Sequence, residues 1–168
     1  LAVDGHALHP GQGAQPQRPQ VGVQVEQVRE VPRADVRQGL AQAHVVAEGY
    51  NPVCGDEVEM QLNFAGDTLT DIGVIGRGCA ISQASGSMMS ELVRGKDIAE
   101  IRHLSDEFKQ MMTEPDGTAP EDLGDLEALQ GVAKFAARVK CATLAWHTLA
   151  DGIAQHEKGD GVVRREES

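Results

Sequence analysis

The apolar residues change period once along the chain. Val58, Met60, Leu62 and Phe64 alternate with Glu57, Glu59, Gln61 and Asn63, whereas beyond Gly76-Arg77-Gly78 they recur at helical spacing, as Ile81, Ala84, Met88 and Leu92. A period of two marks a half-buried strand and a period near 3.6 an amphipathic helix. One switch, strands first and helices after, predicts an α+β fold: a small antiparallel sheet of two to three strands packed against a layer of helices. Val45 and Ala47 extend the strand region upstream, Ala65-Gly66-Asp67 reads as a turn, and Leu69, Ile72 and Val74 lie on a returning strand between Thr68 and Val74. A first helix is expected from about Ala80 to Arg94, stopped by Gly95. Asp97 and Glu100 form a capping box before Ile98, Ile101, Leu104, Phe108 and Met111, a second helix that must end before Pro115. Leu123, Leu126 and Leu129 indicate a short third helix broken at Gly131, and Val139, Ala142, Trp146, Leu149 and Ile153 trace the stripe of a last helix ending near His156.

Charge and aromatics are distributed unevenly. Residues 1–45 hold four Arg, no Lys and four acids, so the whole net charge of -11 lies downstream, with all five aromatics. The first stretch also carries four of the seven prolines and many glutamines, and residues 1–42 are expected to be a disordered segment, although Val21, Val23 and Val25 alternate as an edge strand would. Residues 43–156 are the expected folded domain and 157–168 a charged flexible tail. With 15 basic against 26 acidic residues the chain lacks the basic face a general nucleic-acid binder needs. It has no run of the roughly 20 apolar residues that would span a bilayer, and no leader-like start. Three cysteines cannot all pair internally, which points to a reducing cytoplasm and to thiols free for metal or chemistry.

Each cysteine falls at a junction: Cys54 in the loop before the first long strand, Cys79 at the start of the first helix, Cys141 in the first turns of the last. Cys79 at a helix N-terminus, and Cys141 beside Arg138 and Lys140, are expected to favour thiolate. Gly55 and Gly78 allow close approach or positive φ next to two of them. With Asp56 two residues from Cys54, the set Cys54, Asp56, Cys79 and Cys141 offers Zn2+ three sulfurs and an oxygen, with Arg77, Arg138 and Lys140 partly offsetting the charge. No C-x-x-C pair is present, so on spacing alone the plainer reading, three buried apolar cysteines and a surface Asp, stands beside it.

Three segments, Asn51-Pro52-Val53-Cys54-Gly55-Asp56, Gly76-Arg77-Gly78-Cys79-Ala80-Ile81-Ser82-Gln83-Ala84-Ser85 and Arg138-Val139-Lys140-Cys141-Ala142-Thr143-Leu144-Ala145-Trp146, resemble the cysteine motifs of the U-type iron–sulfur assembly proteins, the IscU/SufU family. The likeness runs in order from about Ala43 to Ile153. It is nearer the SufU branch, because the Cys79–Cys141 interval is long, Lys140 stands where the IscU branch has histidine, and that branch's Leu-Pro-Pro-Val-Lys chaperone motif is absent.

The resemblance implies a metal site at one end of the sheet, zinc held by Cys54, Asp56, Cys79 and Cys141, and Cys54 as acceptor of persulfide sulfur from a SufS-type cysteine desulfurase that carries its own PLP. A histidine of that partner would enter the zinc sphere and free Cys54, Arg138 would support the site electrostatically, and SufBCD-type machinery would lie downstream. The implied activity is that of a zinc-dependent sulfurtransferase. The alternatives are a scaffold on which the same ligands assemble an iron–sulfur cluster, and a purely structural zinc domain. Family members open with an amphipathic helix ending in a segment like Ile-Leu-Asp-His, and residues 1–42 show nothing similar, so they are expected to arise from a misassigned start or an upstream frameshift.

The remaining polar residues are given structural roles. His44, His103, His147 and His156 are read as surface or packing histidines, and Met88-Met89 and Met111-Met112 as core filler. Glu121, Asp122, Asp125 and Glu127 are read as a solvated helix start, and Ser82 and Ser85 as hydrogen-bonding backbone rather than thiolate. Gly76-Arg77-Gly78 runs into Cys79 without completing a dinucleotide-binding loop, and no Ser/His/Asp order is present.

Overall fold

Strand β1 (Val45–Asn51) turns into β2 (Asp56–Ala65), which turns into β3 (Thr68–Arg77), and both pairings are antiparallel. The computed structural model describes residues 39–114 and 116–159, together with the backbone of residues 162–166. All belong to one of the chain's two compact units, Val31–Ser168; the other, residues 1–30, lies outside the described residues, as does the alternation at Val21, Val23 and Val25. Helices α1 (Ala80–Val93) and α2 (Ile98–Thr113), a 3₁₀ segment (Glu121–Lys134) and α3 (Ala136–Lys158) follow the sheet, as the change of period predicts.

The alternation in β2 buries Asp56, Val58, Met60, Leu62 and Phe64 on one face. That face packs on the helices, with Leu69, Ile72, Leu144 and Leu149 also buried. Few aromatics contribute, and the two largest meet: the Phe108 and Trp146 rings stack with centroids 5.0 Å apart, joining α2 to α3. His156 is a packing residue, stacked on Phe64 at 4.0 Å with Nε2 2.9 Å from the Gly66 carbonyl oxygen, so the end of α3 is pinned to the β2–β3 turn. The Asp97 carboxylate accepts a hydrogen bond from the Glu100 N–H at 2.8 Å and caps α2.

Two expectations need correction. The third helix does not break at Gly131. It runs as 3₁₀ turns to Lys134 and kinks instead at Gly124, where φ is 52°. Leu123, Leu126 and Leu129 repeat every three residues, which is the 3₁₀ period, and all three are buried. Within the stretch expected to be a flexible tail, Val162–Glu166 form β4, paired in parallel with β1 from Val46↔Val162 to Tyr50↔Glu166. The sheet order is therefore β3-β2-β1-β4. β2 occupies one side of β1, and β4 takes up the hydrogen-bonding groups on the other.

Candidate metal centre

The β1–β2 hairpin carries Cys54 at its tip. Asn51 and Asp56 face each other across the last rung, leaving Pro52-Val53-Cys54-Gly55 as the loop. The Gly55 N–H donates to the Asn51 carbonyl at 2.8 Å, and the buried Asn51 side-chain oxygen accepts from the Val53 N–H at 3.1 Å. Gly55 has φ +71°, the left-handed conformation that lets so short a loop close. This places Cys54 in solvent and Asp56 at the start of β2 in the inward phase of the strand, with only 1% of its surface accessible.

Cys79 arrives from the other side. It occupies the N-cap position of α1, and its backbone N–H donates to Asp56 Oδ1 at 2.8 Å while its thiol lies 3.4 Å from Asp56 Oδ2. The approach depends on Gly78, where a Cβ would sit 2.7 Å from Asp56 Oδ1 and 2.8 Å from its Cγ. Cys141 comes from the second turn of α3; it is buried, and its Sγ lies 3.4 Å from Cys54 Sγ. Cys54, Asp56 and Cys141 each offer a ligand atom within 4.8 Å of the others, and Cys79 joins them through Asp56. The plainer reading fails, because Asp56 is buried and Cys54 exposed.

Ionisation within the group is divided. Burial pushes the Asp56 carboxyl up, but hydrogen bonds from the Cys54 thiol, the Cys79 N–H, and the Cys141 and Cys79 thiols outweigh it, and the group ends below the ordinary carboxylate value. Burial pushes the Cys141 thiol strongly up, reinforced by contacts with Cys54, Asp56 and Cys79. This corrects the expectation that helix position and nearby cations favour a Cys141 thiolate. Arg138 is exposed in the first turn of α3, and among the described residues its side chain makes no hydrogen bond or ion pair.

A dense set of thiols around one ionised carboxylate suits a thiophilic cation. For tetrahedral Zn2+ with Zn–S near 2.3 Å and Zn–O near 2.1 Å, ligand edges are about 3.8 Å for S···S and about 3.6 Å for S···O. The Cys54–Cys141 and Asp56–Cys79 separations of 3.4 Å lie close to those edges, while Cys79 stands outside the group whose ligand atoms are all within 4.8 Å of one another, so it is the donor chemistry, three sulfurs and a carboxylate, that suits the ion. Asn51 was not singled out in the sequence, yet it shapes the Cys54 loop; the Asn-Pro step at its head is the local signal. Ser85 donates to the Ala142 carbonyl at 2.6 Å, clamping α1 to α3 next to Cys141, a backbone role as expected.

The model of the NifU-like N terminal domain matches residues 24–142, which include Cys54, Asp56, Cys79 and Cys141. The chain belongs to this family. Among NifU-like relatives it is 43% identical over 122 residues to the zinc-dependent sulfurtransferase SufU of Bacillus subtilis (strain 168), covering 73% of this chain and 83% of that protein. It is also 44% identical over 111 residues to the iron-sulfur cluster assembly scaffold protein IscU of Streptococcus pyogenes serotype M1, covering 63% of this chain and 70% of the relative. A solved N-terminal region of a nitrogen-fixing NifU-like protein from Brucella abortus superposes with a TM-score of 0.68 at 30% identity, over 74% of this chain and 86% of that one. The fold and the U-type resemblance are thereby those of the NifU-like family, and no helix among the described residues is long and apolar enough to cross a membrane.

Proposed function

We propose that this NifU-like protein is a zinc-dependent sulfur carrier in iron–sulfur cluster assembly, taking persulfide sulfur from a SufS-type cysteine desulfurase and passing it to SufBCD-type machinery. The observation that carries the reading is the gradient of exposure across the thiols: Cys54 is exposed, Cys79 intermediate and Cys141 buried. A sulfur bound to a second protein is reached most readily by the exposed one. Zinc, held by Cys54, Asp56, Cys79 and Cys141, would keep its cysteine ligands deprotonated near neutral pH. The Cys54 thiolate attacks the outer sulfur of the donor persulfide, the donor S–S bond breaks, and the donor cysteine leaves as thiolate while Cys54 carries the new persulfide.

Asp56 contributes in two ways that need no metal. Its carboxylate ties the Cys79 backbone to β2, and its hydrogen bonds orient the thiols around it. As an oxygen donor among sulfurs it is the weakest ligand of the set for a soft site, which suits a coordination sphere that must open during transfer. The three free cysteines suit a reducing cytoplasm.

The test is desulfurase turnover with a SufS-type enzyme alone, with the wild-type chain, and with Cys54→Ala and Asp56→Ala. Stimulation by the wild type that is lost in Cys54→Ala is the expected result; equal rates in all four arms remove the sulfur-transfer reading. The 44% identity to an IscU scaffold supports a second reading, cluster assembly on the same ligands. Zinc near one equivalent per purified chain favours the first. A brown, oxygen-sensitive chromophore that moves to an apo-acceptor favours the second.

A further inference from the structure

Asn51 has a polar group that the Cys54 loop does not use. Its side chain ends β1 with only 1% of the residue exposed, and Oδ1 accepts from the Val53 N–H. Nδ2 is shut off from solvent and finds no hydrogen-bond partner among the described residues. The Val53 contact fixes which way the amide lies, since turning it over would set two donors against each other. A buried donor left unmet is costly, and in a folded protein it calls for a functional explanation.

The packing of α3 on β1 shows what that donor faces. Ala47, Gly49 and Asn51 share the inward face of β1. A Cβ on Gly152 would lie 3.4 Å from Ala47 Cβ, and one on Gly49 would meet Thr148 Oγ1 and, at 3.1 Å, Leu144 Cδ1. The helix therefore runs antiparallel to the strand. Two strand residues advance about 6.7 Å and one helical turn about 5.4 Å, so each inward step along β1 moves about one turn toward the start of α3. The next step sets Asn51 against residues 141–144, the turn that opens with the buried Cys141. On its other flank Asn51 is the cross-strand partner of Asp56.

We propose that Asn51 is a positioning residue of the metal centre, its Nδ2 N–H donating to the sulfur of Cys141 when that sulfur is a metal-bound thiolate. A thiol is a weak acceptor and a thiolate a charged one, so the donor gains its partner only when the centre is loaded. The proposal rests on the metal-centre part of the function proposed above, because Cys141 must be a ligand. Its consequence is a difference between two neighbouring sulfurs. A hydrogen bond to the anion lowers the basicity of Cys141 and with it the nucleophilicity, while Cys54 in solvent keeps its own. Sulfur transfer is thereby directed to Cys54.

The full chain is loaded with cadmium-113, a thiophilic stand-in for Zn2+, and proton–cadmium scalar couplings are recorded by NMR. Couplings are expected from the Cys141 β protons and also from an Asn51 Hδ2 proton, the latter transmitted through N–H···S–Cd; a purely structural role in the loop would give none. In Co2+-loaded protein, Asn51→Ser keeps an oxygen for the Val53 N–H but lacks the amide donor, and its thiolate-to-cobalt band should move to longer wavelength. Zinc affinity in the same variant, measured by chelator competition, should fall about tenfold. Cys141 couplings without one to Asn51, or an unmoved cobalt band in Asn51→Ser, overturn this proposal and leave the metal centre standing. No coupling to Cys141 overturns both.

Discussion

Asp56 and Cys141 sit in one buried group and titrate in opposite directions for the same reason. The Cys141 thiol contact that helps steady the Asp56 carboxylate also helps hold the proton on the Cys141 sulfur. Without metal, the folded chain therefore prefers Asp56 ionised and Cys141 protonated. A lowered Asp56 value means stability that is present above the ordinary 3.8 and lost as pH falls through the folded value. A raised Cys141 value means stability that is present below the ordinary 9.0 and lost as pH rises beyond it. Denaturant unfolding of the metal-free protein should accordingly show an alkaline decline above about pH 9 that is shallower in Cys141→Ser. A wild-type curve flat above that pH would contradict the buried-thiol picture. That Cys54, Asp56, Cys79 and Cys141 come from neighbouring junctions was legible in the sequence, but the ionisation of Cys141 was not, because depth within α3 outweighs proximity to Arg138 and Lys140 in the chain. The burial of Asp56 was legible too: the alternation through Val58, Met60 and Leu62, carried back one step, puts it on the inward face.

Elements were readable where one interaction dominates and misread where two compete. The Asp97 cap and the stripe of α2 come from local chemistry, and both stand as the sequence implies. The 3₁₀ segment does not, since Gly131 is locally a breaker but the three-residue leucine repeat is satisfied only if the turns continue past it. The seating of α3 on β1 rests on a feature the sequence pattern hides, which is the absence of a side chain at Gly49. A Cβ there would collide with Thr148 Oγ1 and crowd Leu144 and Val58, and the Thr148 hydroxyl is fixed by its bond to the Leu144 carbonyl at 2.9 Å. Gly49→Ala should therefore lose about 1–3 kcal/mol, the usual cost of overpacking, although alanine is the stiffer residue in the unfolded chain. A denaturant midpoint equal to or above wild type would show that α3 can move away freely.

At the scale of the molecule, the change of period indicated the α+β layering, yet it carried no information about β4, whose pairing with β1 depends on an edge left open by the first three strands. The metal centre has the same dependence on topology. The four proposed ligands come from the β1–β2 loop, the start of β2, the N-cap of α1 and the second turn of α3. They converge because the hairpin tip and two helix starts lie at one end of the sheet, so the site exists only while those elements are docked. An ion bound there is bound by the folded chain alone, and its binding free energy adds to folding as RT ln(1 + [L]/Kd), about 2.7 kcal/mol at a hundredfold excess over Kd. Stripping zinc with a chelator should lower Tm by several degrees, and zinc should restore it in proportion to the logarithm of its free concentration. Cys141→Ser, which removes the buried thiol of the proposed set, should unfold at one temperature with or without zinc. Asp56→Ala should lose both the zinc increment and part of the metal-free stability, because the carboxylate also holds the Cys79 backbone and α1 to the sheet. A zinc increment in Tm that survives in Cys141→Ser would mean that the stabilising ion sits elsewhere than among the cysteines.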